Sequence, residues 1–135
     1  MTDQLRSLQV AGLLHPVRTL RLMQQAIEVN QLDLRGLTIL TEMGSGAYVT
    51  TPLLAALAGA DQVYALTQDS VHGVAADIAT VGAQFARFCG IQNRIMVEES
   101  KSLEVLGQTD VVTNLGFVRP LDQKTVSKMK AGAVV

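Results

Sequence analysis

A chain of 135 residues with 48% hydrophobic and 17% charged side chains can bury a real core, which excludes a disordered tail. A net charge of -1, no tryptophan and no block of lysine or arginine give no footprint for nucleic acid. The single Cys89 excludes an internal disulfide and a cysteine-built zinc site; with no signal-like leader and no bilayer-length apolar run, a cytoplasmic, metal-free, non-membrane protein is expected.

Residues 1–36 read as a helical appendage. Thr2 and Asp3 can cap a helix carrying Leu5, Leu8, Val10 and Leu13 or Leu14, and Pro16 opens a second with Val17, Leu20, Met23 and Ile27 on one face. Asn30 is a stop signal. Such a hairpin is expected to pack on a sheet edge; the alternatives are a lid over a crevice or the surface of a homodimer. His15 reads as a turn residue.

Residues 37–135 read as one cofactor-sized α/β domain. Leu37–Thr41 is an apolar run suited to a buried parallel strand, and Glu42 and Gly44-Ser45-Gly46 follow it. Glycines let a backbone approach a ligand closely, and a helix that follows offers free N–H groups to polar ligand atoms. Thr51-Pro52 marks that helix's start, so the loop is expected to be longer than a tight phosphate-cradling turn. Gly59 ends the helix, Gln62–Thr67 forms a second strand, and Asp69 stands at its carboxyl end. There an acid can accept from a ribose diol, or cap the next helix. A plain glycine turn is the alternative to a ligand loop.

From 71 to 88 the apolar positions Val71, Val74, Ile78, Val81, Phe85 and Phe88 predict a helix ending at Cys89-Gly90, with His72 exposed in its first turn and Cys89 buried. A third strand over Arg94–Val97 leads to Glu98-Glu99, which could meet an adenine amino group or stay solvated. Leu103–Leu106 is a short turn or helix, Asp110–Thr113 a fourth strand closed by Asn114-Leu115-Gly116-Phe117, Leu121–Met129 a helix, and Ala133–Val135 a fifth strand. The alternation predicts a doubly wound parallel sheet of about five strands with right-handed crossovers. Because the sequence stops inside an apolar run, the sheet is expected to continue in a longer protein.

Glu42-Met43-Gly44-Ser45-Gly46 resembles the acid-x-Gly-x-Gly motif of the Rossmann-like S-adenosylmethionine-dependent methyltransferases, and the likeness covers residues 37–117. It implies that Glu42, Gly44, Ser45 and Gly46 face the methionine part of the cofactor, Asp69 the ribose, and Glu98 or Glu99 the adenine. Asn114 and Phe117 then place the methyl acceptor, because Asn114-Leu115-Gly116-Phe117 is similar to the Asn-Pro-Pro-aromatic element of amine-methylating members, without its prolines. Tyr48 stands where that motif has a third glycine, and strands six and seven of the family are missing. Asp110–Asn114 with Lys130–Val135 is similar instead to the fourth and fifth strands of NAD(P)-binding dehydrogenase and adenosylhomocysteine hydrolase-like domains. A non-catalytic module of the same fold is the third reading, since no nucleophile, general base or metal cluster stands out.

Overall fold

A computed structural model of the chain describes Asp3 and residues 15–135. The first helix of the expected hairpin, with Leu5 and Leu8, lies outside the described residues. The second is present as α1, Pro16–Val29, with proline in its first turn and Asn30 at its carboxyl cap. Its buried Met23 joins Leu53, Phe85 and Ala86 in a core cluster, so α1 lies against a helix of the main body.

Four strands follow: β1 Thr38–Glu42, β2 Gln62–Leu66, β3 Ile95–Glu98 and β4 Val111–Val112. The connecting helices are α2 Thr50–Leu57, α3 Ala75–Cys89 and α4 Leu103–Gln108, and α5 Gln123–Val126 comes last. The sheet is wholly parallel in the order β3-β2-β1-β4. The fold is therefore α/β.

Among the described residues the sheet has four strands, not five. Ala133–Val135 contributes one parallel bridge, Val111 to Val134, closed by Val112 N–H to Val134 O at 2.8 Å and Val134 N–H to Asp110 O at 2.9 Å. A single paired residue makes no strand.

The pleat sends alternate side chains to opposite faces. Ile39 and Val63 pack with Ala55 and Ala56 of α2, whereas Leu40, Leu66 and Val112 pack with Val105 and Leu106 of α4. Leu40 is 0% exposed. Gly82 lets α3 press onto Met43 at the end of the sheet, since a Cβ there would collide with Met43 Sδ.

The helix expected over Leu121–Met129 is confined to Gln123–Val126, because Asp122 caps it by accepting from Thr125 N–H, and the start of α3 differs for a local reason too. Helix α3 starts at Ala75 and not at Val71, because Ser70–Gly73 is a tight turn in which each end donates to the other's carbonyl. Val71 sits at its tip, 96% exposed. Gly90, at φ +75°, ends α3 where a left-handed residue was expected.

Candidate functional site

Between β3 and β4 the chain crosses back over the sheet, so strand order reverses between β1 and β4. Loops leaving two neighbouring parallel strands in opposite directions cannot fill the space between them, which is why ligands of open α/β sheets bind there. A crevice of about 690 Å³ opens at this place, bordered by Glu42 at the end of β1, by Gly44, Ser45 and Gly46 after it, and by Gly116 and Phe117 after β4.

The glycine loop is shorter than expected. A 3-10 turn, Gly46–Val49, runs straight into α2, leaving Pro52 at the third helical position. Pro52 has no N–H to give to the carbonyl four residues back, that of Tyr48. Gly44 supplies the missing donor: its N–H reaches Tyr48 O at 3.2 Å. A Cβ on Gly44 would lie 2.8 Å from Tyr48 Cβ, so the fold back onto Tyr48 demands glycine.

Three ties fix the opposite wall. Phe117 N–H donates to Glu42 Oε2 at 2.9 Å, and a Cβ on Gly116 would sit 2.9 Å from the same oxygen. Lys101 Nζ donates to Val118 O at 2.5 Å and Pro120 O at 2.6 Å, holding the next turn of that loop. Thr41 and Thr113 hydroxyls share a hydrogen bond of 2.8 Å between the ends of β1 and β4. Glu42 keeps one carboxylate oxygen outside these bonds.

A second hollow of about 220 Å³ lies over the ends of β2 and β3, bordered by Thr67, Gln68, Asp69, Ala75 and Glu99. Thr67 is 1% exposed and its Oγ1 has no partner, a cost that buried hydroxyls seldom bear without a ligand or water. Asp69 Oδ1 accepts from Ala75 N–H at 2.8 Å, so it caps α3. A carboxylate has about four acceptor positions, so the cap leaves room for a diol.

Of the residues expected from sequence, Glu42, Gly44, Ser45, Gly46 and Phe117 come together around the crevice, and Asp69 borders the second hollow. Glu98 ends β3 and is outside both linings; its neighbour Glu99 borders the second. Asn114 also stands outside, its backbone O and Oδ1 each accepting from Arg119 Nε at 3.1 Å. Tyr48, Ser70 and His72 line the crevice without having been expected there. The signal for the last two was Ser70 and Gly73 at the first and fourth positions of a turn, which the apolar spacing of Val71 and Val74 obscured.

Cys89 is half-buried, and burial pushes its thiol up to about 11, so it stays protonated near neutral pH. Among the described residues no group of three His, Cys, Asp or Glu could hold a metal ion, and no helix is long and apolar enough to cross a membrane. No protein-family model matches this chain, and no curated protein matches it in sequence.

Proposed function

We infer that this chain is a Rossmann-like domain that binds S-adenosylmethionine and presents its methyl group to an acceptor at the crevice. The observation that carries the reading is the crevice's charge. Glu42 is the acid on its wall, and among the described residues no lysine or arginine borders it. A sulfonium cation would be attracted there by the carboxylate, with the aromatic residues Tyr48 and Phe117 on the same lining. The pyrophosphate of NAD(P) would bring negative charge to Glu42 with no lysine or arginine on the lining to balance it, so charge ranks S-adenosylmethionine above NAD(P).

The two hollows suit an elongated nucleoside. Ser70 borders the first and Asp69, next in the chain, borders the second. With the methionine part at Gly44–Gly46, the ribose hydroxyls would meet Asp69, and the base would lie toward Thr67 and Glu99. Transfer from a sulfonium asks mainly for alignment, since the methyl group is already activated. Phe117, held by Glu42, is the side chain offered for placing the acceptor, with Asn114 at the loop's start.

The test is calorimetric titration of the chain with S-adenosylmethionine, S-adenosylhomocysteine and NAD(H) in turn. Binding of the first two with silence from NAD(H) is the expected result. Binding of NAD(H) alone, or silence with all three, overturns the reading.

A further inference from the structure

The outer edge of β3 bears a different kind of site. It is a sheet edge, and among the described residues no strand pairs with it. Such an edge offers unpaired N–H and C=O groups in a row, and natural proteins blunt it with lysine, proline or a cover. Here Met96 is 51% and Val97 37% exposed, on opposite faces of the strand.

The direction of each backbone group follows from the pairing with β2. Thr67 N–H donates to Glu98 O at 3.0 Å, and Gln62 Nε2 donates to Arg94 O at 3.3 Å. Met96 and Glu98 therefore turn their backbone groups inward, as does the carbonyl of Arg94, whose N–H donates to Ile91 O in the turn before β3, and Ile95 and Val97 turn theirs outward, in keeping with the register Tyr64 to Met96 and Leu66 to Glu98. An antiparallel partner must place its own outward residues opposite these two.

We propose that β3 pairs antiparallel with β3 of a second copy, about a two-fold axis through Met96, joining two four-stranded sheets into one. In this register Ile95 faces Val97 of the copy and Val97 faces its Ile95. All the outward N–H and C=O groups of Ile95 and Val97 are then paired. Met96 meets Met96 across the axis at a close, non-hydrogen-bonded position. Arg94 faces Glu98 of the copy on both sides of the axis, so opposite charges meet twice.

Charge selects this register. Shifting the axis to Val97 preserves the hydrogen-bond pattern but sets Glu98 against Met96 and leaves Arg94 opposite Ser100. Arg94 retains donors for the pair, because only its Nη1 is bound, to Gly59 O and Ala60 O at 3.1 Å each. Self-complementarity is what a two-fold interface requires. A contact of one short strand falls below the size of stable interfaces, so the dimer is weak and concentration-dependent.

Sedimentation velocity over a concentration series tests it. The wild-type chain is expected to shift from monomer toward dimer as concentration rises, and Met96→Lys, which sets two ammonium groups face to face, to remain monomeric. Glu98→Arg and Arg94→Glu should each be monomeric alone and form a dimer when mixed, because only the mixture restores both opposite-charge pairs. Met96→Cys in a Cys89→Ser background should cross-link under mild oxidation, and it reads the register even if Arg94→Glu folds poorly. A wild-type chain monomeric throughout the series, a dimer indifferent to Met96→Lys, or no cross-link at position 96 overturns the proposal.

Discussion

At the amino ends of the strands, polar groups find one another; at the carboxyl ends a buried hydroxyl does not, and an aromatic side chain stands open. Asp110 accepts from Thr38 N–H at 2.8 Å and Lys130 Nζ at 2.6 Å, Asp61 accepts from Gly36 N–H at 3.0 Å, and Arg94 takes the carbonyls of Gly59 and Ala60. Across the sheet Thr67 Oγ1 is buried without a partner, and the crevice exposes Tyr48 to 68% of its surface. Both ends hang on the same four strands. The difference teaches that closure is not a property of the sheet but of the loops, and that the carboxyl loops forgo it where a ligand is expected.

The bluntest way to break the contrast is to damage what the ends share. Leu40 lies between β2 and β4 with no exposed surface, so Leu40→Ala is expected to cost about 2–5 kcal/mol, read as a lower urea midpoint. Both ends should loosen together. A ligand-binding loss with an unchanged midpoint would show that the crevice does not depend on the packed sheet.

Glu42→Gln separates the ends. The amide oxygen can still accept from Phe117 N–H, so the fold should hold while the negative charge disappears. Binding of S-adenosylmethionine is expected to weaken by about 1.5–3 kcal/mol, the range for hydrogen bonds to charged groups, and any residual NAD(H) binding should not weaken. Equal loss for both ligands would assign Glu42 to loop structure alone. Gly44→Ala then asks about shape without charge: its Cβ would crowd Tyr48 at 2.8 Å, an overpacking worth about 1–3 kcal/mol, visible as a lower melting temperature with the amino end intact.

The contrast also marks what could be read from sequence. Buried strand interiors such as Ile39–Leu40 and Val63 were legible because apolar runs of that length have few other uses, and Gly90 was legible because only a glycine adopts φ +75° freely. Ala133–Val135 has the same composition, yet pairs only at Val134. Composition reports a wish for burial and not the number of partners found. At the site, Glu42 and the glycines stood out by spacing. Their mutual ties did not: the bond to Phe117 spans 75 positions, and the role of Gly44 N–H depends on Pro52 eight residues on. His72 was hidden because a helix pattern and a tight turn competed for Val71 and Val74, and the turn won.

The smallest effect probes the closed end by pH. Hydrogen bonds from Lys130 and from Thr38 N–H hold the Asp110 carboxyl below its ordinary value of 3.8. A carboxyl whose folded pKa lies below its unfolded one adds stability that is fully present above the unfolded value and is lost as pH falls through the folded value. Melting temperature should therefore fall on the acid side, from pH near 4 downward, partly through this group. Asp110→Asn should flatten that limb slightly while lowering stability at neutral pH, because Lys130 then loses its ion pair. Binding at the crevice should not change, since Asp110 lies at the other end of β4. If Asp110→Asn instead altered ligand affinity while the acid limb stayed as steep, the two ends would be coupled through β1 and β4, and the division between a closed and an open end would fail.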